Sequence, residues 1–224
     1  MEFSLLWAAV TAAAAVWIGL RLWSERVPDN AADRLLAATL TGLVAGRLTA
    51  MVSQGINPLT NPAEIIVIRG GVDTMASSIT FIAVLVWTTR QAPGAVDAIA
   101  PAILLGLAGW HAGCVWKDAC LGSPSSLPWA WAQDGSLVTR HPIEIYAAIG
   151  LVAGAVVVSR LGWRPWVRAG VALSIAAGVR LVTEPLRPSL GGGPQAWYLT
   201  GLMVGILVAV FGARLNTAPR GTPT

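Results

Sequence analysis

The chain has 224 residues, of which 55% are hydrophobic and only 12% are charged, and its mean hydropathy is +0.65. A soluble globular domain carries about 25% charged residues, so this composition excludes an ordinary soluble enzyme and indicates an integral membrane protein. The net charge of +4 does not indicate a nucleic-acid-binding protein, because the basic residues are dispersed over short loops between apolar runs. The sequence contains no zinc-finger spacing, Walker loop or dinucleotide-binding glycine motif, and it predicts neither a metal nor another cofactor.

The first apolar run covers residues 3–23, and its length suits a hydrocarbon core of about 30 Å. Glu2 precedes it where a secretory signal would carry positive charge, so we expect a retained helix. The second span is expected over residues 35–53 and contains Arg47. A charged side chain at the centre of a membrane helix costs about 2.5–3.5 kcal/mol, so Arg47 is expected to have a polar partner.

A polar segment and a third span follow. Residues 54–63 contain two prolines and two asparagines, which favours an ordered loop or a re-entrant segment over a helix. The third span is expected over residues 72–88, and Asp73 lies at its start, after Gly70 and Gly71. Two interpretations of Asp73 remain. Either the glycines allow close approach of a partner or ligand, or Asp73 caps the helix.

The fourth span is expected over residues 98–116 and carries His111 near its end. Cys114 and Cys120 follow, and they form either an external disulfide or two packing thiols. A long polar connection then covers residues 123–140. Connections of this length are commonly functional.

The fifth span is expected to begin at His141 and Pro142 and to run to residue 159, since proline in the first turn is typical of a helix start. Glu144 lies one turn into this span. It either pairs with Arg140, four residues earlier, or serves as a base. His141 likewise has either a structural role at the helix start or a catalytic one.

The sixth span starts near Ala169 and leads into a ladder of charged residues, Arg180, Glu184 and Arg187. At helical pitch these positions lie on one face, so we expect them to contact one another. Two arginines beside one carboxylate leave net positive charge that suits a phosphate. The alternative is a salt-bridged structural cluster. The seventh span is expected over residues 195–215.

The expected fold is therefore all-α: one polytopic domain over residues 1–224 with seven transmembrane helices. Cytoplasmic loops are enriched in lysine and arginine, and here nine basic residues fall on one side and four on the other. This asymmetry predicts an external N-terminus and a cytoplasmic C-terminus. The ladder, His141 and Arg47 then lie in the outer half of the membrane. The nine are Arg21, Arg26, Arg34, Arg90, Arg160, Arg164, Arg168, Arg214 and Arg220, and the four are Arg69, Lys117, Arg140 and Arg187.

Arginines and a carboxylate in the outer half indicate a protein that handles an anionic lipid headgroup. Arginine binds phosphate with a planar fork of donors, and the attraction is strong where the dielectric constant is low. In a transfer reaction the arginines would stabilise a departing phosphate while a base takes a proton from the acceptor. The candidate bases are His111, His141 and Glu144.

Six short motifs occur in order over most of the chain. They are Gly46-Arg47-Leu48; Asn61-Pro62-Ala63-Glu64-Ile65 with Gly70-Gly71; Gly113-Cys114 to Cys120-Leu121-Gly122 with Leu127-Pro128-Trp129; Arg140-His141-Pro142 with Tyr146; the ladder; and Gln195. In this order they resemble the bacterial prolipoprotein diacylglyceryl transferase family, in the subgroup with a Gly-Cys to Cys-x-Gly segment.

The resemblance implies transfer of a diacylglyceryl group from phosphatidylglycerol to the lipobox cysteine of a prolipoprotein in the bacterial inner membrane, with release of glycerol phosphate. It implies no metal. Arg180, Glu184 and Arg187 would bind and polarise the headgroup phosphate, and Arg47 would help to hold the cavity. The expected site residues are Arg180, Glu184, His111 and His141 in catalysis and Arg187, Arg47, Arg140, Tyr146 and Asn61 in substrate binding.

Five positions depart from the pattern of the family. Met75 stands for a histidine, His111 for an arginine, Cys114 for an asparagine, Ala147 for a glutamate and Ala176 for a tyrosine. His111 would then replace the missing histidine as base. The alternative is a catalytically inactive relative that binds lipid or serves as a subunit of a larger membrane complex. A transporter or channel is disfavoured, because neither an inverted repeat nor a polar pore ring is visible.

Overall fold

The computed structural model describes residues 3–23, 27–66, 71–92, 94–116, 121–133, 135–162, 164–188 and 193–215. Within these ranges the chain forms eight α-helices. They are α1 (Phe3–Leu22), α2 (Ala31–Ser53), α3 (Ala63–Ile66), α4 (Thr74–Thr89), α5 (Ala95–Ala112), α6 (Ile143–Arg160), α7 (Val167–Thr183) and α8 (Gln195–Leu215).

Among the described residues, five helices are long and apolar enough to cross a membrane: α2, α5, α6, α8, and α7 with the turn that follows it. Two shorter apolar segments, Leu6–Leu22 in α1 and Thr74–Thr89 in α4, accompany them. Each predicted apolar run overlaps one of these helices, and α3 is a single additional turn. The protein is a polytopic helical membrane protein, as its composition predicted.

Two helices end before their apolar runs do. α5 stops at Ala112 and continues as the 3₁₀ turn Gly113–Trp116, where the sequence predicted α-helix. α7 stops at Thr183 and gives way to the 3₁₀ turn Glu184–Leu186. Pro185 explains the second change, because proline has no N–H to donate and its ring clashes with the preceding turn. The charged ladder therefore spans a junction between an α-helix and a 3₁₀ turn.

The polar connection over residues 123–140 contains a β-ribbon that the all-α prediction missed. Trp131–Ala132 (β1) pairs antiparallel with Thr139–Arg140 (β2), and a single bridge joins Pro124 to Arg140. Strands of two residues leave no alternation for a sequence pattern to detect.

The chain forms two compact units, Met1–Val27 with Asp97–Thr224, and Pro28–Val96. The core of the first unit lies among α5, α6 and α7. It consists of Ala100, Leu104, Ala108, Leu151, Ala155, Val158 and Ala172. Most of these side chains are small, which lets helices pack closely where lipid removes the usual hydrophobic driving force.

Glycines permit the closest helix contacts in this unit. A side-chain atom at Gly109 of α5 would collide with the backbone of Thr11 in α1, and the Thr11 hydroxyl donates to the Gly109 carbonyl at 2.9 Å. In the same way, a side-chain atom at Gly170 of α7 would collide with the Gly205 carbonyl of α8. A side-chain atom at Gly205 would likewise collide with the Gly170 carbonyl. Larger residues at these positions would separate the helices.

The second unit pairs α2 with α4 through Asp73. Its carboxylate caps α4 by accepting from the Ala76 N–H at 2.7 Å, and its own N–H donates to the Gly46 carbonyl of α2 at 3.0 Å. A side chain at Gly46 would collide with the Asp73 carbonyl and with Ser77. The capping interpretation of Asp73 is therefore confirmed, and Gly46 is a glycine that close approach requires.

Asp97, in the first turn of α5, is a buried carboxylate that the sequence analysis did not single out. It is 2% exposed and accepts from the N–H groups of Trp166, at 2.7 Å, and Ala169, at 3.0 Å. Trp166 has a φ of 69°, a left-handed conformation that costs a residue other than glycine about 1–3 kcal/mol. Asp97 therefore holds the start of α7 from a neighbouring helix.

The Asp97→Ala substitution is expected to lower the midpoint of thermal unfolding by several degrees in detergent micelles. It leaves two amide donors without their acceptor, and each buried unsatisfied group costs about 1–3 kcal/mol. The matched control is Asp33→Ala, because Asp33 is exposed in the first turn of α2. Equal midpoints for the two variants would contradict the capping role.

Candidate functional site

The ladder of Arg180, Glu184 and Arg187 forms at the end of α7, as predicted. Arg180 Nη2 lies 3.1 Å from Glu184 Oε2, and Arg187 Nε lies 3.8 Å from the same oxygen. Glu184 is 4% exposed. A single buried carboxylate therefore lies against both arginines.

Glu144, in the first turn of α6, is buried against this ladder. Its Oε1 accepts a hydrogen bond from Arg187 Nη2 and lies 3.9 Å from Arg180 Nη1. The predicted pairing of Glu144 with Arg140 is wrong, since Arg140 Nη1 donates to the Gly122 carbonyl at 3.1 Å. Helical pitch identifies only local partners, whereas the partners of Glu144 come from elsewhere in the chain.

His111, in the last turn of α5, contacts the other oxygen of this carboxylate. Its Nδ1 is hydrogen-bonded to Glu144 Oε2, and the two side chains are 12% and 9% exposed. A carboxylate acceptor fixes the orientation of an imidazole and favours the tautomer with hydrogen on Nδ1. Nε2 is then the proton acceptor, so His111 has the geometry of a base oriented by a carboxylate.

Together these side chains form what we call the Glu144 cluster: Glu144, Glu184, Arg180, Arg187 and His111. Two arginines alternate with two carboxylates, so the formal charge of the cluster is zero when His111 is neutral. The predicted positive excess was wrong, because Glu144 brings a second carboxylate to the two arginines from another helix. Buried charges require such pairing, since an unpaired charge is costly to desolvate.

Tyr198, in the first turn of α8, completes the surroundings of Arg180. Its hydroxyl accepts from Arg180 Nη2 at 3.4 Å, and the guanidinium lies 5.5 Å from the ring centre, within range of a cation–π contact. Burial lowers the pKa of Arg187, and Tyr198 acts in the opposite direction. Arginine nevertheless remains charged near neutral pH.

His141 and Tyr146 belong to a second group, at the start of α6. The Tyr146 hydroxyl accepts from Trp129 Nε1 at 2.9 Å and lies 3.4 Å from His141 Nδ1. A phenol hydroxyl donates one hydrogen bond and accepts up to two, so this contact is compatible with a hydrogen on either Nδ1 or Nε2 of His141. The backbone N–H of His141 donates to the Ser123 carbonyl at 3.1 Å, so the residue also anchors the polar connection.

Arg47 and Asn61 lie in the second compact unit. Arg47 is 1% exposed and donates to the Glu64 carbonyl at 2.8 Å, the Gly71 carbonyl at 3.0 Å and the Glu64 carboxylate at 3.4 Å. It therefore has the polar partners that its position in an apolar helix required. Asn61 is exposed and donates to the Asn57 carbonyl of its own loop at 3.3 Å. Their roles in substrate binding stay predictions.

Cys114 is disulfide-bonded, which decides between the two interpretations of this residue. The other cysteine of the chain, Cys120, lies outside the described residues.

Comparison with known families assigns the chain. The model of the family described as prolipoprotein diacylglyceryl transferase matches residues 2–217, which is nearly the whole chain. The chain belongs to the prolipoprotein diacylglyceryl transferase family. Membership confirms the resemblance that the six sequence motifs indicated.

Relatives named phosphatidylglycerol--prolipoprotein diacylglyceryl transferase match parts of the chain. The protein of Chlamydia muridarum is 29% identical over 57% of this chain and 50% of the relative. The protein of Chlamydia trachomatis is 26% identical over 64% of this chain and 58% of the relative. The protein of Bordetella avium is 42% identical over 30% of this chain and 25% of the relative. The chain spans about half the length of the first two relatives.

The structure describes the surroundings of three departures from the pattern of the family. Ala147 is fully buried, Ala176 packs partly buried against the core, and Met75 is 43% exposed in the first turn of α4. Ala176 has no phenol to offer, and the phenol that contacts Arg180 comes from Tyr198 of α8.

Two residues of the site were missed or undervalued at the level of sequence. From the sequence, Glu144 is a candidate base but is not among the expected site residues, and no sequence pattern indicates Tyr198. Both lie in the first turn of a helix that begins at the end of the bundle where α7 finishes. Polar residues at that shared end of the helices were the signal that could have found them.

Proposed function

We propose that the protein transfers the diacylglyceryl group of phosphatidylglycerol to the lipobox cysteine thiol of prolipoproteins in the bacterial inner membrane. The observation that carries this proposal is the convergence of Arg180, Arg187 and the His111–Glu144 pair at one end of the helices. Together they offer donors for a phosphate and a base for a thiol. The names of the relatives support phosphatidylglycerol and a prolipoprotein as substrates.

The proposal includes the finer topology. We infer one domain with seven membrane-spanning helices, in which α1 and α4 join the five longer spans. The N-terminus is external and the C-terminus is cytoplasmic, an orientation that the excess of basic residues on one side supports. The Glu144 cluster then lies in the outer half of the membrane, within reach of lipid headgroups and of a translocated acceptor.

The transfer needs one bond to form and one to break. The acceptor thiol gives its proton to His111 Nε2, and the sulfur forms a bond to the glyceryl carbon that carries the phosphate. The bond from that carbon to the phosphate oxygen breaks, and glycerol phosphate leaves with the electron pair. Arg180 and Arg187 stabilise the negative charge that develops on this phosphate, and His111 then releases its proton to the product or to water.

Hydrogen-bonding roles favour His111 over His141 as the base. His111 uses Nδ1 as a donor to Glu144, which leaves Nε2 to accept the thiol proton. His141 Nδ1 lies 3.4 Å from the Tyr146 hydroxyl, a partner that can donate or accept and therefore does not fix the imidazole tautomer as a carboxylate does. His141 is therefore assigned to positioning of the polar connection, or to donation toward a substrate, rather than to proton abstraction.

The proposal is tested in a bacterial strain depleted of its own diacylglyceryl transferase. The strain expresses this chain together with a reporter prolipoprotein, and the mass of the reporter is measured. We expect a gain equal to one diacylglyceryl group on the lipobox cysteine. A reporter with serine in place of that cysteine is the control and should gain nothing. An unmodified cysteine reporter, with the chain present in the membrane at normal level, would contradict the proposal.

A second candidate function is that of an inactive relative that binds anionic lipid or serves as a subunit of a membrane complex. Met75 favours it, because the methionine side chain cannot transfer a proton at the position where the family has a histidine. Phosphatidylglycerol that co-purifies with the protein, without any modification of the reporter, would favour this candidate. Partners within such a complex would then be sought by cross-linking in intact membranes.

A further inference from the structure

One oxygen atom of the Glu144 cluster lies where a phosphate oxygen would be expected. Both arginines reach Glu144 Oε1, Arg187 Nη2 by a hydrogen bond and Arg180 Nη1 at 3.9 Å. Convergent guanidinium groups are typical of phosphate recognition. Here an internal carboxylate occupies the point of convergence.

The two carboxylates of the cluster differ in their freedom to move. Glu184 is confined, because Gly193 lies so close that a side-chain atom there would collide with the Glu184 side chain along most of its length. Glu144 has a second partner, His111, which contacts its Oε2 rather than Oε1. Glu144 can therefore release the arginines and keep a hydrogen bond, whereas Glu184 keeps both arginines in position.

Arg187 carries a donor that is not satisfied. Its Nε is buried and has no hydrogen-bond partner among the described residues, since Glu184 Oε2 lies at 3.8 Å. The Arg187 side chain is also the most exposed of the carboxylate and arginine side chains in the cluster, at 33%. An anion that enters from this side would find an unused N–H group. Buried donors without partners are rare, and a bound anion is one of the partners that would satisfy this one.

From these contacts we propose that Glu144 competes with the phosphate for Arg180 and Arg187, and that its return releases the product. The inference rests on the proposed function and adds a control step at the same site. The ligands are phosphate esters: the diester headgroup of phosphatidylglycerol on entry and the monoester glycerol phosphate on exit.

The charges of the two ligands explain why such a competitor is useful. A phosphodiester carries one negative charge, and a phosphate monoester carries about 1.5 to 2 at neutral pH. Two partly buried arginines would hold the monoester more strongly than the diester, so the product would inhibit the next cycle. Glu144 adds a negative charge that opposes the dianion most. The competition therefore favours exit of the product over loss of the substrate.

The test is equilibrium binding of two probes to the purified full chain. Glycerol phosphate is titrated in solution by calorimetry, and phosphatidylglycerol is titrated in nanodiscs with a neutral lipid background. The Glu144→Gln variant is expected to bind glycerol phosphate at least about tenfold more tightly than the unmodified protein, which corresponds to about 1.4 kcal/mol. Binding of phosphatidylglycerol is expected to tighten by a smaller factor.

Matched variants separate competition from a general effect of charge. Glu184→Gln removes the same charge from the cluster but also removes the carboxylate that holds both arginines in position. This variant is therefore expected to bind glycerol phosphate more weakly than the unmodified protein. Glu144→Asp keeps the negative charge on a shorter side chain. Its affinity for glycerol phosphate is expected to increase by less than that of Glu144→Gln. Asp33 is exposed and distant in sequence from the cluster, so the Asp33→Asn variant should bind glycerol phosphate as the unmodified protein does. Thermal unfolding of each variant confirms that it is folded.

The outcomes distinguish this inference from the proposed function. Equal or weaker binding by both Glu144 variants overturns the competition while the transferase proposal stands. Equal tightening by Glu144→Gln and Glu184→Gln overturns it as well, because charge alone would then explain the effect. Binding of neither probe by any variant overturns the phosphate site and the competition together.

Discussion

The Arg180→Ala variant is expected to transfer the diacylglyceryl group about a thousandfold more slowly than the unmodified protein. Arg180 contacts Glu184, Glu144 and Tyr198 and, in the proposed reaction, stabilises the phosphate as its charge develops. Removal of one such preorganised donor typically costs a factor of about 10² to 10³ in rate. The measurement is the initial rate of label transfer to a lipobox peptide at saturating phosphatidylglycerol.

Loss of fold must be separated from loss of chemistry in this variant. Breaking a buried ion pair costs about 3–5 kcal/mol, because a charged partner is left behind. Arg180→Lys retains the charge but not the planar fork, so it should keep the fold and lose about tenfold to a hundredfold in rate. Arg164→Ala is the matched control at an exposed arginine and should transfer at the normal rate. A folded Arg180→Ala variant with normal transfer would contradict the role of the ladder.

The His111→Arg variant is expected to lower the transfer rate by a factor of about 10² to 10⁴, which is the usual contribution of a general base. Arginine retains a hydrogen bond and a charge contact to Glu144, but it cannot accept a proton near neutral pH. The substitution therefore removes the proposed chemistry and keeps the pairing. The measurement is the transfer rate at several pH values, together with the equilibrium binding of phosphatidylglycerol, which should persist.

A substitution at the other histidine, His141→Gln, gives the control. His141 lies beside the Tyr146 hydroxyl and anchors the polar connection through its backbone N–H, so His141→Gln, whose side chain both donates and accepts, should cost less than about tenfold in rate. If His141→Gln were the more damaging variant, the assignment of the base to His111 would be wrong. If both variants transferred normally, neither histidine would act as the base.

The apolar runs predicted the helices well because a membrane span requires its length and its composition to agree. The ends of helices were predicted less well. Pro185 lies inside a run that the ladder spacing predicted to be helical throughout, and the chain tightens there to a 3₁₀ turn. The ladder contacts still form across this junction. Glu184 lies one turn from Arg180, at 3.1 Å, and 3.8 Å from Arg187.

Prediction failed where partners are distant in sequence. Glu144 was compared with Arg140 because helical pitch relates positions four residues apart. Its actual partners are 33 and 43 residues away, at His111 and Arg187, and no local pattern encodes them. The capping role of Asp97 could not be predicted for the same reason, since it caps a helix that begins about 70 positions later. Contacts of this kind follow from helix packing rather than from periodicity.

The resemblance identified the family, and the structure identified how its departures combine. His111 stands where the family pattern has an arginine, and its side chain contacts Glu144 of α6. Tyr198 reaches Arg180 from α8, while Ala176 occupies the position of the tyrosine in the pattern. These replacements are consistent with a rearranged site, which a comparison of single positions would have counted only as losses.

The most direct test of catalysis uses the purified protein in phosphatidylglycerol liposomes with a lipobox peptide and a labelled diacylglyceryl group. Mass spectrometry then measures the peptide beside an identical reaction with Arg180→Ala. The account predicts a thioether-linked diacylglyceryl group on the peptide cysteine, with the variant reduced by about a thousandfold. An unmodified peptide, with protein that is folded and binds phosphatidylglycerol, would contradict the account and identify the protein as a lipid-binding relative.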